Sequence, residues 1–440
     1  MWMIFRKWQK SRGTREIEKR VAYECGKTDL AESIFVAIYA YRDDRLADTL
    51  IDLFDKATCP KRITVGVYQH LQGADHHCIR QYESTAKYYG HPTFSDNIRV
   101  LTGPVIQAKG RSWPMAMIMK SLWHNERYCL LLEPGTRLCK DWDNQCIQQL
   151  TRAASAMAAN SQKTVSTTAA TNTTEQTQKG DLSASDDWRR VVITQSPPER
   201  NALSLASGVN GQCTYNRFER WKDDKLPLPV RKVMAFKQKP VRPTLTFFCD
   251  TSFLFAASDC FFEVPFDARL YFVDKQDLDW LLMLRLWTHG YSVFNPELLL
   301  CAKMPSASRR SIIATGAAGQ DQTVEANVDR PPPLKAHLRD ASYHALYGMI
   351  GVAPWPDNAN LNDVFGKVRT LASYCTASGI HFDQQKVSDQ ALLGLWHSRA
   401  LTFQQQEEIQ SKYGSWSDAM HERELMRERW TGSEDHPYGS

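Results

Sequence analysis

The 440-residue sequence contains no run of 18 apolar residues, so no segment of it is expected to cross a membrane as a helix. Its opening stretch, MWMIFRKWQKSRGTREIEKR, offers five apolar residues before charge takes over. That is too little for a signal peptide or a span. There is no GxGxxG and no Walker loop, which removes the main support for dinucleotide-dependent oxidoreductases and P-loop NTPases. The 11 cysteines are odd in number, scattered, and never in a CxxC pair, a usage that fits reduced thiols better than a disulfide framework. Lysine and arginine form no long block and the net charge is only +5, so a dedicated nucleic-acid surface is not expected. A soluble cytoplasmic protein with no nucleic-acid partner follows as the expectation, with its oligomeric state open.

What is present is apolar residue in quantity: 42% of the chain, with 13 Trp and 16 Tyr, enough for a substantial core. Residues 1–32 are charged and read as a leader. Ile34–Tyr39 (IFVAIY) is a buried strand, and Leu46, Leu50, Leu53, Phe54 and Ala57 recur at helical spacing until Pro60. Ile63–Tyr68 is a second strand, so a parallel pair with a short crossover is expected. Residues 70–98 are polar; their Asp75-His76-His77-Cys78 string has neighbours too close to share one tetrahedral zinc. Ile98–Leu101 reads as a short strand, and Met115, Ile118, Met119 and Leu122 mark a helix from about Pro114 to Asn125.

The stretch Tyr128–Asp143, YCLLLEPGTRLCKDWD, is the most informative. A buried strand runs straight into Glu133, and Pro134-Gly135 then breaks it, which puts a carboxylate at the carboxyl edge of a sheet. Open α/β folds bind ligands at that edge. Residues 33–153 thus read as a nucleotide-binding half, and a helix continues from Asp143 to Ala153. Residues 154–187, rich in Ser, Thr and Ala, read as a disordered insertion, 188–305 as a second half, 306–333 as a low-order linker, and 334–440 as a helical region. In the second half Phe247–Ala256 is strand-like, and Asp274, Asp277 and Asp279 precede a helix that ends at Thr288-His289-Gly290. If Glu133, with Asp141 and Asp143 nearby, faces the same cleft as Asp277 and Asp279, the chemistry suggested is metal-assisted or general-base transfer onto a hydroxyl. Arg42 or Arg137 would then offset phosphate charge. The spacing of Asp277 and Asp279 suits helix capping equally well.

IFVAIYAYRDDRLADTLIDLFDKA followed by ITVGVYQ resembles the start of the cytosolic-type polypeptide N-acetylglucosaminyltransferases, which glycosylate hydroxyproline or threonine. Three further stretches are similar to that family in the same order: Tyr128–Asp143, Val264–Asp267 with Arg285–Tyr291 (RLWTHGY), and Phe365–Phe382. The resemblance implies a GT-A type α/β nucleotide-sugar fold with a mostly parallel central sheet. It also implies UDP-GlcNAc as donor, a protein hydroxyl as acceptor, and Mn²⁺ or Mg²⁺ as cofactor. Arg42 and Asp43 match the loop that faces uridine, with Arg137 and Lys303 as further donor-binding candidates and Glu133 as the metal ligand. Asp277 or Asp279 would orient or deprotonate the acceptor, with His289 supporting that wall.

Three departures stand out. Glu133-Pro134-Gly135 occupies the place of the family's Asp-Ser-His metal triplet, and Leu300-Cys301-Ala302-Lys303 lies where a second histidine is usual. An arginine in the helix before Tyr128 has no counterpart near Met115-Ala116. Two outcomes fit these changes: an active transferase with a remodelled site, in which Lys303 neutralises diphosphate in place of an ion, or a catalytically impaired relative that binds nucleotide sugar or acts as a protein scaffold.

Overall fold

Uniformly apolar strands need a cover on both faces, and that requirement explains most of the architecture. In the computed structural model, β1 (Ile34–Tyr41) is buried along nearly its whole length. It pairs in parallel with β2 (Ile63–Leu71), from Ile34↔Ile63 to Tyr41↔His70. The structure describes residues 31–73, 75–168, 187–198, 212–218, 229–235, 241–304, 332–350, 364–382 and 386–387. All of them belong to one compact unit, residues 1–394; a second unit, 395–440, lies outside the described residues, and within the region expected to be helical over 334–440 Lys386–Val387 is a strand instead.

On one face of the sheet, Ile34, Val36, Ile38 and Ala40 pack with Leu46, Leu50 and Phe54 of α1 (Leu46–Asp55). Tyr82 and Ala86 of α2 (Cys78–Tyr89) and Trp142, Cys146 and Leu150 of α4 (Trp142–Thr168) join the same cluster. Each such aliphatic side chain, fully buried, contributes about 1.5–3 kcal/mol. The other face is covered by α3 (Ser112–Ser121): Cys129 Sγ lies 3.9 Å from Met119 Sδ. The helix α2 falls in the segment that reads as merely polar. Its side chain at His77 accepts from the Ile79 amide as an N-cap, so the Asp-His-His-Cys string starts a helix.

The central sheet has eight strands in the order β3-β2-β1-β4-β10-β6-β11-β9. These are β3 (Ile98–Pro104), β4 (Tyr128–Leu132), β6 (Val191–Thr194), β9 (Thr244–Thr246), β10 (Phe253–Ala257) and β11 (Ser292–Asn295), with β1 and β2. Four of the seven pairings are parallel, so the expected α/β architecture with a mostly parallel sheet is what the chain adopts. The chain leaves β1 for β2 and β3 on one side and returns to β4 on the other. That reversal makes the carboxyl ends of β1 and β4 a topological switch point, the usual ligand site of such sheets. Inserted between β4 and β6, β10 runs antiparallel, with Phe253 opposite Leu132. Residues just before β10 therefore arrive at the same edge as those just after β4.

Outside the sheet, β5 (Thr136–Leu138) pairs with β12 (Cys301–Lys303), Lys303 facing Thr136. A separate hairpin joins β7 (Gln212–Phe218) to β8 (Pro229–Ala235). The remaining elements are α5 (Asp259–Glu263), α6 (Lys275–Thr288), α7 (Pro332–Ile350), α8 (Leu371–Ser378) and the pair β13 (Ile380–His381) and β14 (Lys386–Val387). Helix α4 continues to Thr168, past the Ala153 end expected from hydrophobicity. The reason is propensity: its middle includes Ala153, Ala154, Ala156, Ala158 and Ala159, and alanine is the best helix former. The rest of the expected insertion, 169–186, lies outside the described residues. So does most of the 306–333 linker.

Candidate active site

Glu133 sits one residue beyond β4, at that switch point. Pro134 and Gly135 follow as the two central residues of a turn closed by the Thr136 amide donating to the Glu133 carbonyl at 3.3 Å. Proline first and a glycine at φ 77° second is the signature of a type II turn. Gly135 has a second reason to be glycine: a Cβ there would lie 3.0 Å from three guanidinium atoms of Arg45.

Both carboxylate oxygens of Glu133 are engaged by cations. Arg111 donates through one Nη to Oε1 at 3.0 Å, and Lys303 Nζ lies 3.2 Å from Oε2. Arg111 is the residue before α3, and its other Nη donates to the Thr251 carbonyl at 3.2 Å. It lies four residues ahead of Met115. Gly110 makes this placement possible, because a Cβ at its φ of 85° would come 2.7 Å from the Phe272 backbone nitrogen. Burial opposes ionisation of Glu133, but the charges of Arg111, Lys275 and Lys303 outweigh it and hold the carboxyl at about 2.

The network continues through the residues before β10. Lys275, at the start of α6, is paired with Asp250 and, at 2.8 Å, with Asp279 Oδ2. Asp279 Oδ1 accepts from the Thr251 amide at 3.1 Å and from its hydroxyl at 2.7 Å. The Glu133 amide donates to the Ser252 carbonyl at 3.3 Å. Glu133 and Asp279 are therefore brought to one cluster, through Arg111, Thr251 and Lys275. Asp250, Arg111 and Lys275 escape a reading by motif. Their signal is positional: a polar Asp-Thr-Ser interrupting an apolar run, and an arginine beside a glycine just ahead of Ser112-Trp113-Pro114.

Asp277 faces elsewhere. Tyr343 of α7 places its hydroxyl 2.9 Å from Asp277 Oδ2 and 3.0 Å from Asp274 Oδ2. Burial, with Asp274 and Asp279 nearby, pushes the Asp277 carboxyl up to about 7 against the lowering effect of the tyrosine bond. The Tyr343 hydroxyl is the donor to both carboxyls, so Asp274 and Asp277 share its one proton. His289 is a correction to the expected wall. Ten residues beyond Asp279 on one helix, it is about 15 Å further along the axis, and its Nδ1 meets the Arg285 carbonyl at 2.7 Å, satisfying the helix end.

Arg42 and Asp43 diverge as well. Arg42, at φ 45°, turns towards the loop after β2, donating to Asp75 at 2.9 Å and Gln72 at 3.0 Å. The Asp43 carboxylate accepts from the Arg45 guanidinium at 3.0 and 2.6 Å and from the Arg45 amide at 2.9 Å. So Arg45, not Arg42, faces the turn after β4. Arg137 is held by Asp52 at 3.1 Å. Asp143 is sealed in a wholly buried pair with Arg62 at 2.8 Å, and Asp141 accepts from the Thr58 hydroxyl. These acids anchor α4 and stand apart from Glu133.

Among the described residues no three His, Cys, Asp or Glu side chains are placed to hold a metal ion, and the oxygens of Glu133 are already spent on two cations. Eight described cysteines are free, but Cys59 is disulfide-bonded, so the expectation of reduced thiols fails at that residue. No helix among the described residues is long and apolar enough to cross a membrane.

Compared with known proteins, the chain matches a family model described as "Glycosyltransferase (GlcNAc)" over residues 33–95 and 82–312. No curated protein matches it by sequence. Among solved structures it is similar to GalNAc-T7 with UDP, GalNAc and Mn²⁺, at 11% identity over 78% of this chain and 54% of that one, TM-score 0.41. It is also similar to S. aureus TarS, at 11% over 87% and 55%, TM-score 0.33. A third is the Pyrobaculum calidifontis mannosyltransferase PcManGT with GDP-Man and Mn²⁺, at 10% over 91% and 90%, TM-score 0.34. The chain spans about half the length of the first two. At these scores the likeness identifies neither substrate nor metal.

Proposed function

The chain belongs to the glycosyltransferase (GlcNAc) family, and we propose that it transfers GlcNAc or another hexose from a UDP-sugar to a protein hydroxyl, on a GT-A type domain. The donor's bond from sugar C1 to the diphosphate breaks and its electron pair leaves with UDP. The acceptor oxygen bonds to C1 and releases its proton. One observation carries this reading: Glu133, Arg111, Lys303, Lys275 and Asp279 gather at the carboxyl edge where the strand order reverses. Uridine would lie over the loops after β1 and β2, where Arg42 and Asp75 pair. Asp279 acts as a positioning residue, fixing Lys275 and Thr251.

A second reading, a relative that binds the donor without turning it over, is favoured by the engagement of both Glu133 oxygens and of both Asp279 oxygens. One experiment separates the two. The full chain is incubated with UDP-GlcNAc, UDP-GalNAc and UDP-glucose, and binding and release of UDP are measured. Binding with slow release of UDP, abolished by Glu133→Ala, is the expected result. Binding without release makes the protein a donor-binding scaffold. Failure to bind any UDP-sugar refutes both.

A further inference from the structure

The positions that resemble a metal triplet in sequence hold a different kind of charge in space. Gly135 gives up its side chain, and the guanidinium of Arg45 occupies the room, within Coulombic reach of Glu133. Lys303, on the strand that pairs with β5, has its backbone tied to the same turn: it faces Thr136, and the Met304 amide donates to the Gly135 carbonyl at 2.8 Å. With Arg111 these make three cations around the end of β4, and Lys275 is a fourth near Glu133. A divalent ion at Glu133 would have to displace both cations from its oxygens and then sit among them. An anion meets the opposite field.

Resting on the nucleotide-sugar reading above, we infer that the donor's diphosphate is neutralised here by side-chain cations, Lys303 foremost with Arg111 and Arg45 beside it, and that binding needs no divalent ion. Two observations beyond the charge count support this. The Arg111 side chain is only 8% exposed, yet its Nε–H has no acceptor among the described residues, so the site carries a buried donor that a ligand oxygen or a water would satisfy. Lys303 is 27% exposed, and among the described residues its ion pair is to Glu133 alone. Its long stem can carry the ammonium from Glu133 to a phosphate oxygen without moving the backbone. Glu133 then keeps Arg111 and holds the remaining cations in place. As the C1 bond breaks, the negative charge grows on the diphosphate oxygens, where these cations lie, so the same groups that bind the donor stabilise the departing UDP.

The test is calorimetric titration of the full chain with UDP, first in EDTA and then with MnCl2, on the parent, Lys303→Gln and Lys303→Arg. Thermal melts monitored by circular dichroism verify that each variant is folded. UDP is expected to bind in EDTA with an affinity that Mn²⁺ leaves within about threefold, and Lys303→Gln to weaken it about tenfold while Lys303→Arg retains most of it. Binding that appears only after Mn²⁺ is added overturns the inference and leaves the transferase reading standing. Equal affinity in folded Lys303→Gln and parent overturns it too. No UDP binding in either buffer overturns the transferase reading and this inference with it.

Discussion

Replacing Asp277 by asparagine should flatten the pH dependence of this protein's stability between pH 5 and 8. In the folded chain the Asp277 carboxyl is held up at about 7 by burial and by Asp274 and Asp279, opposed only by the Tyr343 hydroxyl. Unfolded, it titrates near about 3.9. The folded state thus binds this proton more tightly. The stabilisation it gives is complete below about pH 4 and is lost as pH rises through about 7. Linkage between those two values makes the parent lose about 2.5 kcal/mol from this one group between pH 5 and 8. Asparagine keeps the shape and the hydrogen bond to Tyr343 but carries no titrating proton. Urea unfolding followed by tryptophan fluorescence, run on parent and variant at pH 5, 6, 7 and 8, isolates the effect, because every other titrating group is common to both. The gap between the two should widen in the variant's favour by about 2.5 kcal/mol from pH 5 to pH 8. Parallel curves across the range would mean that Asp277 is charged at neutral pH, and the account of the Asp274–Tyr343–Asp277 contact would be wrong.

Other substitutions probe the frame around the site. Asp143→Asn should cost about 3–5 kcal/mol in urea melts, because it strands the fully buried Arg62 and the amides of Thr58 and Cys59. Gly135→Ala should cost about 1–2 kcal/mol for the left-handed backbone alone, and it should also weaken UDP binding by dislodging Arg45; a normal melting temperature and unchanged affinity would contradict that. His289→Ala removes a helix-end contact with the Arg285 carbonyl, so its stability should fall by about 1 kcal/mol while UDP affinity, read by titration, stays as in the parent.

The strands that carry the switch point are legible in the chain because their apolar runs are continuous: β1, β2 and β4 read directly from IFVAIY, ITVGVY and YCLLL. Glu133 is legible as well, since the turn chemistry of Pro134-Gly135 fixes where that strand stops. What stays hidden depends on tertiary neighbours. FFCDTSFLFA looks like a single strand, yet only Phe253 onward is one. Asp250 delays its start by accepting from the Ser252 amide at 2.8 Å, and its own amide donates to Thr194 Oγ1 at 2.8 Å. Arg111 and Lys275 become site residues only because an antiparallel strand brings Thr251 alongside Glu133. Helix α2 shows just three fully buried positions, Cys78, Tyr82 and Ala86, too sparse an apolar stripe to stand out. Asp277 and Asp279 are two apart, a separation that turns side chains to opposite sides of a helix, and no pattern alone says which side meets Lys275 and which meets Tyr343.

The insertion of β10 beside β4 also sets an order in time. Until β10 is made, β4 presents an unpaired edge rich in Cys129, Leu130, Leu131 and Leu132, the kind of edge that recruits other chains. The ribosome must add the residues between Leu132 and Phe253 before that edge can be closed, which at about 5–20 residues per second takes roughly 6–25 s. Truncations that stop between the two strands should therefore aggregate rather than yield half a domain, and a chaperone that shields β4 during that interval would raise the yield of the intact chain.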